Sequence, residues 1–439
     1  MSAIAMNYPK YESYKDSGVD WLGEIPSDWD ICKLKFLLDE VNIRSTSGNE
    51  ELLSLSKYQG VIPKNSLDER SGVASTLVGY KKVFKDTLVI NKMQATNGLL
   101  AISKIEGITS PDYSTYKTKN NEVLDINYLG FLLTLNLYLS EFKKRVTGVM
   151  EGFIRLYTDD LYEIHSIIPP INQQKKIVSF LNQKTAQIDQ AIALKQQQID
   201  KLNEYKQIVI QNAVTKGLNP NALMKDSGVE WIGEIPQHWE VKKLKYLTSK
   251  IGSGITPSGG ATTYVDEGIP LLRSQNIHFD GIVLENVANI SVNVHKSMKN
   301  TQVKKHDVLL NITGGSLGRC CYNELEIEMN VNQHVCIVRP NKLAKGQFIN
   351  SLLASEIGQK QIWFFQQGGG REGLNFQNLK NFDFPLPSLD EQQDIITYID
   401  QINQKFNKSV KNYQTQIERL KEYKNALINQ AVTGKIKVE

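Results

Sequence analysis

Cysteine is scarce in this sequence, and long apolar runs are missing from it. Four cysteines occur among 439 residues, none of them in a C-x-x-C pair, and the six histidines do not cluster with them. We therefore expect neither a disulfide framework nor a zinc site. No apolar run approaches the roughly 20 residues that span a bilayer, and residues 1–10 lack a charged-then-apolar signal pattern. These absences predict a cytoplasmic protein with no membrane partner.

Charge of one sign is not in excess either. The chain has 51 basic and 47 acidic residues and a formal net charge of +4. This balance permits nucleic acid as a partner without requiring it, because the basic excess is small. With 41% hydrophobic and 22% charged residues, the composition is that of a folded protein, and the length predicts two domains plus connecting elements.

The motifs of common catalytic classes are absent as well. There is no G-x-x-x-x-G-K-[ST] phosphate loop, and the IPPI segment at 168–171 lacks both ends of the Asn/Asp-Pro-Pro-aromatic tetrad of adenine methyltransferases. Asp112 and Lys117 have no second acid at nuclease spacing, and the glycines at 368–370 follow no strand of a dinucleotide fingerprint. We expect no catalysis, no bound cofactor and no metal.

An internal repeat is the most informative feature of the chain. Residues 15–37 read KDSGVDWLGEIPSDWDICKLKFL, and residues 225–247 read KDSGVEWIGEIPQHWEVKKLKYL. Fifteen of these 23 positions are identical and five more are conservative exchanges. The tryptophans that both copies keep are expected to be packing anchors, since two different ligands would not be read by the same residues.

The repeat continues to the end of each half. The apolar LVIN at 88–91 matches VLLN at 308–311, and Gly98 matches Gly318, as expected of a buried strand that enters a turn. Ile168-Pro169 before Gln174 corresponds to Leu386-Pro387 before Gln392, and AVT at 213–215 recurs at 431–433. The middle of each half has diverged, which is typical of a common scaffold that carries exchangeable binding loops.

Each half ends in a long segment that predicts a helix. Residues 171–216 and 389–433 contain no Gly or Pro, and Pro387-Ser388 supplies a helix stop and a possible N-cap. Heptad rows predict that the two helices pair as an antiparallel coiled coil. The alternative is that each helix packs separately on its own domain. The rows are Leu181, Ile188, Lys195, Leu202, Val209 with Val178, Thr185, Ile192, Ile199, Lys206, Ala213, and Ile399, Phe406, Tyr413, Leu420, Leu427 with Ile396, Asn403, Val410, Ile417, Lys424, Ala431.

The predicted fold class is α+β, with two repeated α/β recognition domains separated by two long antiparallel coiled-coil helices in a pseudo-two-fold arrangement. The expected domains are 1–170 and 219–388, and the expected helical regions are 171–218 and 389–439. Four apolar residues off the heptad rows are expected to contact partner proteins: Ile177, Phe180, Ile395 and Tyr398.

These motifs resemble those of specificity subunits of type I restriction–modification enzymes. The W-L/I-G-E-I-P-x-x-W openings at 21–29 and 231–239 look like the start of that family's target-recognition domains. The I/L-P segments before the long helices look like the start of its conserved helical regions. The resemblance covers nearly the entire chain, in order and twice.

The resemblance implies a subunit that has no catalytic centre and binds no cofactor. Each recognition domain would read one half of a bipartite double-stranded DNA target. The helices would set the spacing and recruit two methyltransferase subunits, which modify adenine at N6 with S-adenosylmethionine. Restriction subunits would add cleavage driven by ATP, with Mg²⁺ also belonging to the partners.

Residues that touch DNA should lie where the two halves differ, because the halves would read different bases. Arg suits guanine, and Asn or Gln suits adenine, in the major groove. His334 by itself is also typical of a structural hydrogen bond, and Asn332 lies beside it. The candidates in the first domain are Tyr58, Gln59, Lys81, Lys82, Lys92, Gln94, Thr96 and Asn97. Those in the second are Arg273, Gln275, Asn276, Thr313, Arg319, Gln333, His334 and Arg371.

Two other functions are compatible with the sequence. One is a coiled-coil adaptor that holds two partner proteins and binds no DNA. The other is a fused enzyme that both reads and modifies DNA, against which the missing tetrad argues.

Overall fold

The computed structural model describes residues 8–57, 59–66, 76–148, 154–366 and 373–438. The chain divides into two compact units. Unit 1 comprises Met1–Lys195 and Thr415–Glu439, and unit 2 comprises Gln196–Gln414. Within the described ranges, no helix combines the length and the apolar character that crossing a membrane requires.

Unit 1 is built from short strands and three short helices, followed by the first part of a long helix. Its helices are α1 (Ile126–Leu133), α2 (Asn136–Arg145) and α3 (Thr158–Tyr162), and the long helix is α4 (Ile171–Lys216). Its strands are β1 (Tyr14–Asp16), β2 (Glu24–Pro26), β3 (Asp30–Lys33), β4 (Leu38–Glu40), β5 (Leu53–Ser56), β6 (Gly60–Pro63), β7 (Lys81–Val83), β8 (Leu88–Asn91), β9 (Leu100–Ile102), β10 (Gly107–Thr109), β11 (Tyr113–Thr118) and β12 (His165–Ile168).

Unit 2 has the same kinds of elements and ends in a second long helix. Its helices are α5 (Leu244–Leu247), α6 (Val292–Ser297), α7 (Gly346–Ala354), α8 (Glu356–Phe364) and α9 (Phe376–Lys380), and the long helix is α10 (Leu389–Val432). Its strands are β13 (Met224–Asp226), β14 (Glu234–Pro236), β15 (Glu240–Lys243), β16 (Thr248–Ser253), β17 (Tyr264–Val265), β18 (Ile269–Leu272), β19 (Ile277–His278), β20 (Gly281–Ile282), β21 (Ala288–Ile290), β22 (Val308–Asn311), β23 (Cys320–Tyr322), β24 (Asn330–Val331), β25 (Val335–Pro340) and β26 (Asp383–Leu386).

A four-stranded antiparallel sheet recurs in both units. Its strand order is β4-β11-β8-β9 in unit 1 and β16-β25-β22-β23 in unit 2. The matched segments 88–91 and 308–311 form β8 and β22, which hold the same place in the order, and all four residues of each are buried. The repeat therefore predicted the buried central strand correctly.

Unit 2 has an additional four-stranded sheet, with the order β17-β21-β18-β24. Strand β18 pairs antiparallel with β21 and parallel with β24, where Leu272 lies opposite Val331. Because β24 leads through a short turn into β25, this sheet and the repeated sheet meet at residues 332–334. In unit 1 the corresponding region is a β5–β6 hairpin.

The repeated tryptophans are packing anchors, as expected. Trp29 and Trp239 are fully enclosed in the cores of their units. The Trp29 indole donates to Gln173 Oε1 over 2.8 Å, and the Trp239 indole donates to Glu391 Oε1 over 3.3 Å. Both acceptors lie in the first turn of a long helix, so each opening motif fixes the start of the helix that closes its own unit.

A buried glutamine makes the same contacts at the start of each long helix. Gln174 Nε2 donates to the carbonyls of Val123 (2.8 Å) and Pro169 (2.7 Å). Its equivalent Gln392 donates to Leu343 (3.0 Å) and Pro387 (3.1 Å). In α10 the predicted N-cap is present: the Ser388 hydroxyl accepts from the amide of Glu391, whose carboxylate accepts from the Ser388 amide.

The two long helices pair antiparallel within each unit. In unit 1, Lys195 Nζ donates to Gln416 Oε1 over 2.5 Å, and Lys424 Nζ lies 2.6 Å from Asp189 Oδ2. As α4 runs from 189 to 195, its partner runs from 424 to 416. In unit 2, Lys206 Nζ donates to Asn407 Oδ1 over 3.5 Å. Three of the polar interruptions in the heptad rows are thus paired across the helices.

Burial along the helices follows the predicted heptad rows. No row position is exposed, and Leu181, Ile199 and Phe406 are among those that are buried. The exposed apolar residues Leu194 and Ile208 both lie off the rows. The coiled-coil pattern is therefore confirmed as a pairing within each unit.

The expectation that off-row residues contact a partner protein was wrong for Ile177 and Ile395, and it stays a prediction for the half-buried Phe180 and Tyr398. Ile177 and Ile395 are each 1% exposed and belong to the cores of unit 1 and unit 2. Phe180 packs edge-on against Tyr8, and Tyr398 packs on the core of unit 2. The reason is that the first turns of each helix lie on its own unit, which covers the side of the helix away from the heptad rows.

Candidate nucleic-acid interface

A surface cleft in unit 2 brings together residues from three separate loops. It has a volume of about 550 Å³. One loop follows β18, one lies between β22 and β23, and one joins β24 to β25. In the described part of the chain the cleft is lined by Arg273, Ser274, Gln275, Ser316, Arg319, Asn332 and His334.

Local hydrogen bonds fix the backbone of both arginines that line the cleft. The Arg273 amide donates to Asn276 Oδ1 (2.9 Å), and the Asn276 amide donates back to the Arg273 carbonyl (2.8 Å). The Arg319 carbonyl accepts from the Asn311 amide (2.8 Å), which ties it to the end of β22. The two side chains therefore start from fixed backbone positions. Arg273 follows β18 of one four-stranded sheet of unit 2, and Arg319 precedes β23 of the other.

Asn311 joins two of the three loops from below the cleft. Its side chain is fully buried, and Nδ2 donates to the Ser274 carbonyl (2.9 Å) and to Ser316 Oγ (3.1 Å). The equivalent residue in unit 1, Asn91, has a related role, because its Oδ1 accepts from the amides of Met93 (3.0 Å) and Gln94 (3.3 Å). The asparagine that closes the repeated strand thus organises the loop that follows it in both units.

His334 is held in the cleft by both ring nitrogens. Nδ1 lies 2.7 Å from Thr313 Oγ1, and Nε2 lies 3.0 Å from Gln333 Nε2. Gln333 is held in turn by the Thr256 hydroxyl. The sequence was compatible with a structural hydrogen bond at His334, and this bond is present. It fixes the ring, which also lines the cleft.

Most of the predicted unit 2 residues lie together. Arg273, Gln275, Arg319 and His334 line the cleft, and Thr313 and Gln333 support it from the next layer. Asn276 does not contribute, because it is 1% exposed and its amide is used by Arg273 and by the Val283 carbonyl. Arg371, with the glycines before it, lies outside the described residues.

In unit 1 the loop after β8 holds three predicted residues. Thr96 and Asn97 lie on a short 3₁₀ helix, Ala95–Asn97, and Gln94 directly precedes it. Gln94 and Asn97 are exposed and Thr96 is half-buried. The helix ends at Gly98, whose φ of 79° lies in the left-handed region that favours glycine. This loop follows β8, just as one loop of the unit 2 cleft follows β22, the equivalent strand of the repeated sheet.

Two of the three predicted lysines of unit 1 form ion pairs within the protein. Lys81 is 3% exposed and pairs with Glu40 over 3.0 Å, so it does not enter the proposed interface. Lys82 pairs with Glu50 over 3.1 Å. Hydrogen bonds from Ser45, from the backbone and from Lys82 lower the pKa of Glu50 to about 2, so this pair is ionic at neutral pH.

Lys92 is half-buried, and burial followed by the nearby charge of Lys81 lowers its pKa. Glu40 and Asp112 oppose that shift. Gln59 is exposed at the tip of the β5–β6 hairpin, and Tyr58 lies outside the described residues. Unit 1 therefore brings together its loop at 94–97 but not the lysines of β7.

A second cleft in unit 2, of about 430 Å³, has the opposite charge. It lies where the β19–β20 hairpin, α7 and the first part of α10 meet, and its lining includes Asp280, Glu324 and Asp400. Burial and the charge of Glu324 raise the pKa of Asp400. Carboxylates repel DNA phosphates, so the cleft at Arg273 and Arg319 is the surface of unit 2 that suits nucleic acid.

Sequence reasoning missed Ser316 and the residue that supports Arg273. The Tyr264 ring lies 5.8 Å from the Arg273 guanidinium carbon, a cation–π distance. Tyr264 begins β17 in a stretch without a clear period-two pattern, so no signal in the sequence placed it beside Arg273. Ser316 was obscured by the neighbouring glycines.

Comparison with known proteins identifies the family and the fold of the chain. The family model described as the type I restriction modification DNA specificity domain matches twice, at residues 26–204 and 236–419. The chain belongs to this family. The two matches cover both copies of the repeat, including β8 and β22 and the loops that follow them.

Relatives of similar length are specificity subunits. The chain is 25% identical over 451 residues to the type I restriction enzyme MjaVIII specificity subunit of Methanocaldococcus jannaschii, with 99% of each chain covered. Two solved structures have a similar fold. One, from a study of complex assembly and conformational transition of the type I R-M system, has a TM-score of 0.68 at 15% identity and covers 93% of this chain and 98% of that chain. The other, the HsdS subunit from Thermoanaerobacter tengcongensis, has a TM-score of 0.51 at 16% identity, with coverage of 94% and 98%.

Proposed function

We propose that this specificity subunit reads a bipartite double-stranded DNA target, with one half-site bound by each unit. The observation that carries the proposal is the unit 2 cleft. Three loops whose sequences differ from those of unit 1 converge there, and they supply arginine, amide and hydroxyl groups. These are the groups that read base edges in the major groove. A shared frame with different loops suits two different half-sites.

The paired helices would set the spacing of the half-sites and recruit methyltransferase subunits. Support comes from the matched contacts of Gln174 and Gln392, which present the start of each helix in the same way. Equivalent surfaces on two repeated units suit two copies of one partner. The N6 methylation of adenine, with S-adenosylmethionine, would then belong to that partner.

The chain itself would have no catalytic role. It lacks the methyltransferase tetrad and the phosphate loop, and the histidine among the described lining residues of the unit 2 cleft, His334, is hydrogen-bonded within the protein. ATP and Mg²⁺ would belong to restriction subunits, which would cleave DNA.

Reconstitution tests this proposal. The full chain, a type I methyltransferase subunit and the two together would be incubated with S-adenosylmethionine and genomic DNA, and methylated adenines would be mapped. We expect methylation at one split motif only when both proteins are present, together with salt-dependent DNA binding by the complex.

The other functions predict different results. If the chain were an adaptor that binds no DNA, the methyltransferase would methylate the same motif with and without the chain. A fused enzyme would methylate DNA when the chain is present alone. Either result would contradict the proposal.

A further inference from the structure

The two arginines of the unit 2 cleft lack the carboxylate partner that three other described arginines have. Arg339 is bound by Asp307 through two contacts of 2.7 and 2.8 Å. In unit 1, Arg145 pairs with Glu141 and Arg155 lies 3.5 Å from Asp112. By contrast, no described carboxylate pairs with Arg273 or Arg319, and none lines the cleft.

Arg273 is held in place with part of its hydrogen-bonding capacity unused. Its guanidinium lies against the Tyr264 ring, and its backbone is pinned by Asn276. Its Nε is buried and has no hydrogen-bond partner among the described residues. A planar guanidinium that is oriented in advance loses less rotamer freedom when it binds, so this arrangement favours a ligand with a fixed pair of acceptors.

Arg319 enters the same cleft from the other sheet. Its amide donates to the Ser316 carbonyl (3.1 Å) and its carbonyl accepts from Asn311, so the backbone cannot move away. The residue at this place in unit 1, at the same shift of 220 that relates Gly98 to Gly318, is Leu99. The arginine is therefore a feature of unit 2 and not of the shared frame.

The surroundings favour a base edge over a phosphate. Among the described residues, the other lining groups are the amides of Gln275 and Asn332, two serine hydroxyls and the fixed His334 ring, with no lysine. Phosphate oxygens are contacted by arginine, lysine, hydroxyl and backbone N–H groups. Base edges in the major groove are read by arginine on guanine and by asparagine or glutamine on adenine, and this cleft offers both arginine and amide groups. Guanine presents two adjacent acceptors, O6 and N7, which match a guanidinium.

We propose that Arg273 and Arg319, which face one cleft from two sheets with no carboxylate among its described lining residues, read guanine in the half-site bound by unit 2. This inference rests on the proposed function and adds the residues and the base. The half-site bound by unit 1, whose loop offers Gln94, Thr96 and Asn97, is read without these arginines.

The test uses the complex of the full chain with its methyltransferase. Methylation is mapped for the wild type, for Arg273→Ala and Arg319→Ala, and for Arg44→Ala, which serves as a matched control. Arg44 is an exposed arginine of unit 1 outside the long helices and the loop at 94–97, and it donates to the Gly79 carbonyl. We expect at least one guanine of one half-site to become degenerate in an arginine variant of the cleft. The other half-site should stay unchanged, and the control should methylate the wild-type motif.

Binding to short duplexes separates base reading from phosphate contact. Replacing the guanine should weaken binding by the wild type about tenfold or more. The cleft variant, whose binding is already weakened, should bind the original and the substituted duplex with nearly equal affinity. A phosphate contact would instead weaken binding to all sequences alike and reduce the salt slope by about one. That result would overturn the proposal.

Folding and the parent proposal are checked separately. Thermal unfolding and retention of the unit 1 half-site show that a variant is intact, and Arg273→Lys and Arg319→Lys keep the charge while losing the planar fork. A guanine requirement that survives in all four variants, or a wild-type target with no guanine in either strand of that half-site, would overturn this inference alone. Absence of any motif with the wild type would overturn the proposed function.

Discussion

At the scale of single residues, Asn311 holds two loops of the unit 2 cleft together although it does not line the cleft. It is fully buried at the end of β22, and its Nδ2 joins the loops of Ser274 and Ser316. Removing it would break both hydrogen bonds and leave the Ser274 carbonyl with the Ile277 amide as its remaining donor. Each such hydrogen bond contributes about 0.5–1.5 kcal/mol to stability.

We therefore predict that Asn311→Ala lowers the free energy of unfolding by about 1–3 kcal/mol. Urea unfolding of the full chain measures it. The matched control is Asn289→Ala, which removes one surface hydrogen bond to the Asp266 carbonyl and should cost under about 0.5 kcal/mol. Equal losses in the two variants would contradict the role assigned to Asn311.

The sequence predicted which residues of unit 2 lie together in the cleft, but it did not predict which candidate residues are paired inside the protein. Arg273, Gln275, Arg319 and His334 do lie together, because the loops that differ between the repeats follow strands that share a frame. Lys81 was wrongly grouped with exposed residues, since nothing in the sequence placed Glu40 beside it. Pairings between distant segments depend on tertiary packing, which a single sequence does not encode in a local pattern.

At the scale of elements, the two long helices start in chemically different ways on the same frame. In unit 1 the Trp29 indole donates to a neutral amide, Gln173. In unit 2 the equivalent acceptor is the carboxylate of Glu391, which also lies 2.8 Å from His238 Nε2. Burial alone would raise the pKa of Glu391, but hydrogen bonds from His238, Trp239 and Ser388 outweigh it and lower the pKa.

This lowered pKa predicts a pH-dependent contribution from Glu391. A carboxyl whose pKa is depressed by folding stabilises the fold above its unfolded pKa of about 4.3, and that contribution is lost as the pH falls through the lower folded value. Glu391→Gln should therefore be less stable than the wild type at pH 7, by under about 1 kcal/mol because the pair is partly exposed.

Thermal unfolding at pH 7 and at pH values below 4 measures this difference, which should shrink as the solution becomes acidic. Glu356→Gln, which removes an exposed pair with Lys360, is the control and should show little change at either pH. A gap that widens in acid would show that Glu391 is not stabilising as its carboxylate.

Element positions were well predicted wherever the repeat or the heptad gave a signal. The buried strands at 88–91 and 308–311 and the helices from 171 and 389 are confirmed. The additional four-stranded sheet of unit 2 was not predicted, because two of its strands, β17 and β24, are each only two residues long. Strands that short carry no periodicity.

At the scale of the whole molecule, the proposed function makes the length of the helices a property of the DNA target. Inserting four residues after Gln196 adds about 6 Å of rise and nearly one turn, although it also forms a stutter in the heptad rows. Since 6 Å is close to two base pairs at about 3.4 Å each, we expect the spacer to change by one or two pairs. Both half-site sequences should stay the same.

Methylation mapping with the lengthened chain measures the spacer. Four alanines inserted into the surface loop at 219–222, outside the long helices, provide the control and should leave the spacer unaltered. Full activity only at the original spacing would show that the helices are connectors without a role in spacing.

The central claim is that the two units read separate halves of one target, and a domain exchange tests it most directly. Residues 38–166 would be replaced by the same region of another specificity subunit, and adenine methylation would be mapped across a genome with the methyltransferase present. The account predicts that one half of the split motif takes the donor's sequence while the other half is unchanged. A change in both halves together, or no change in either, would contradict it.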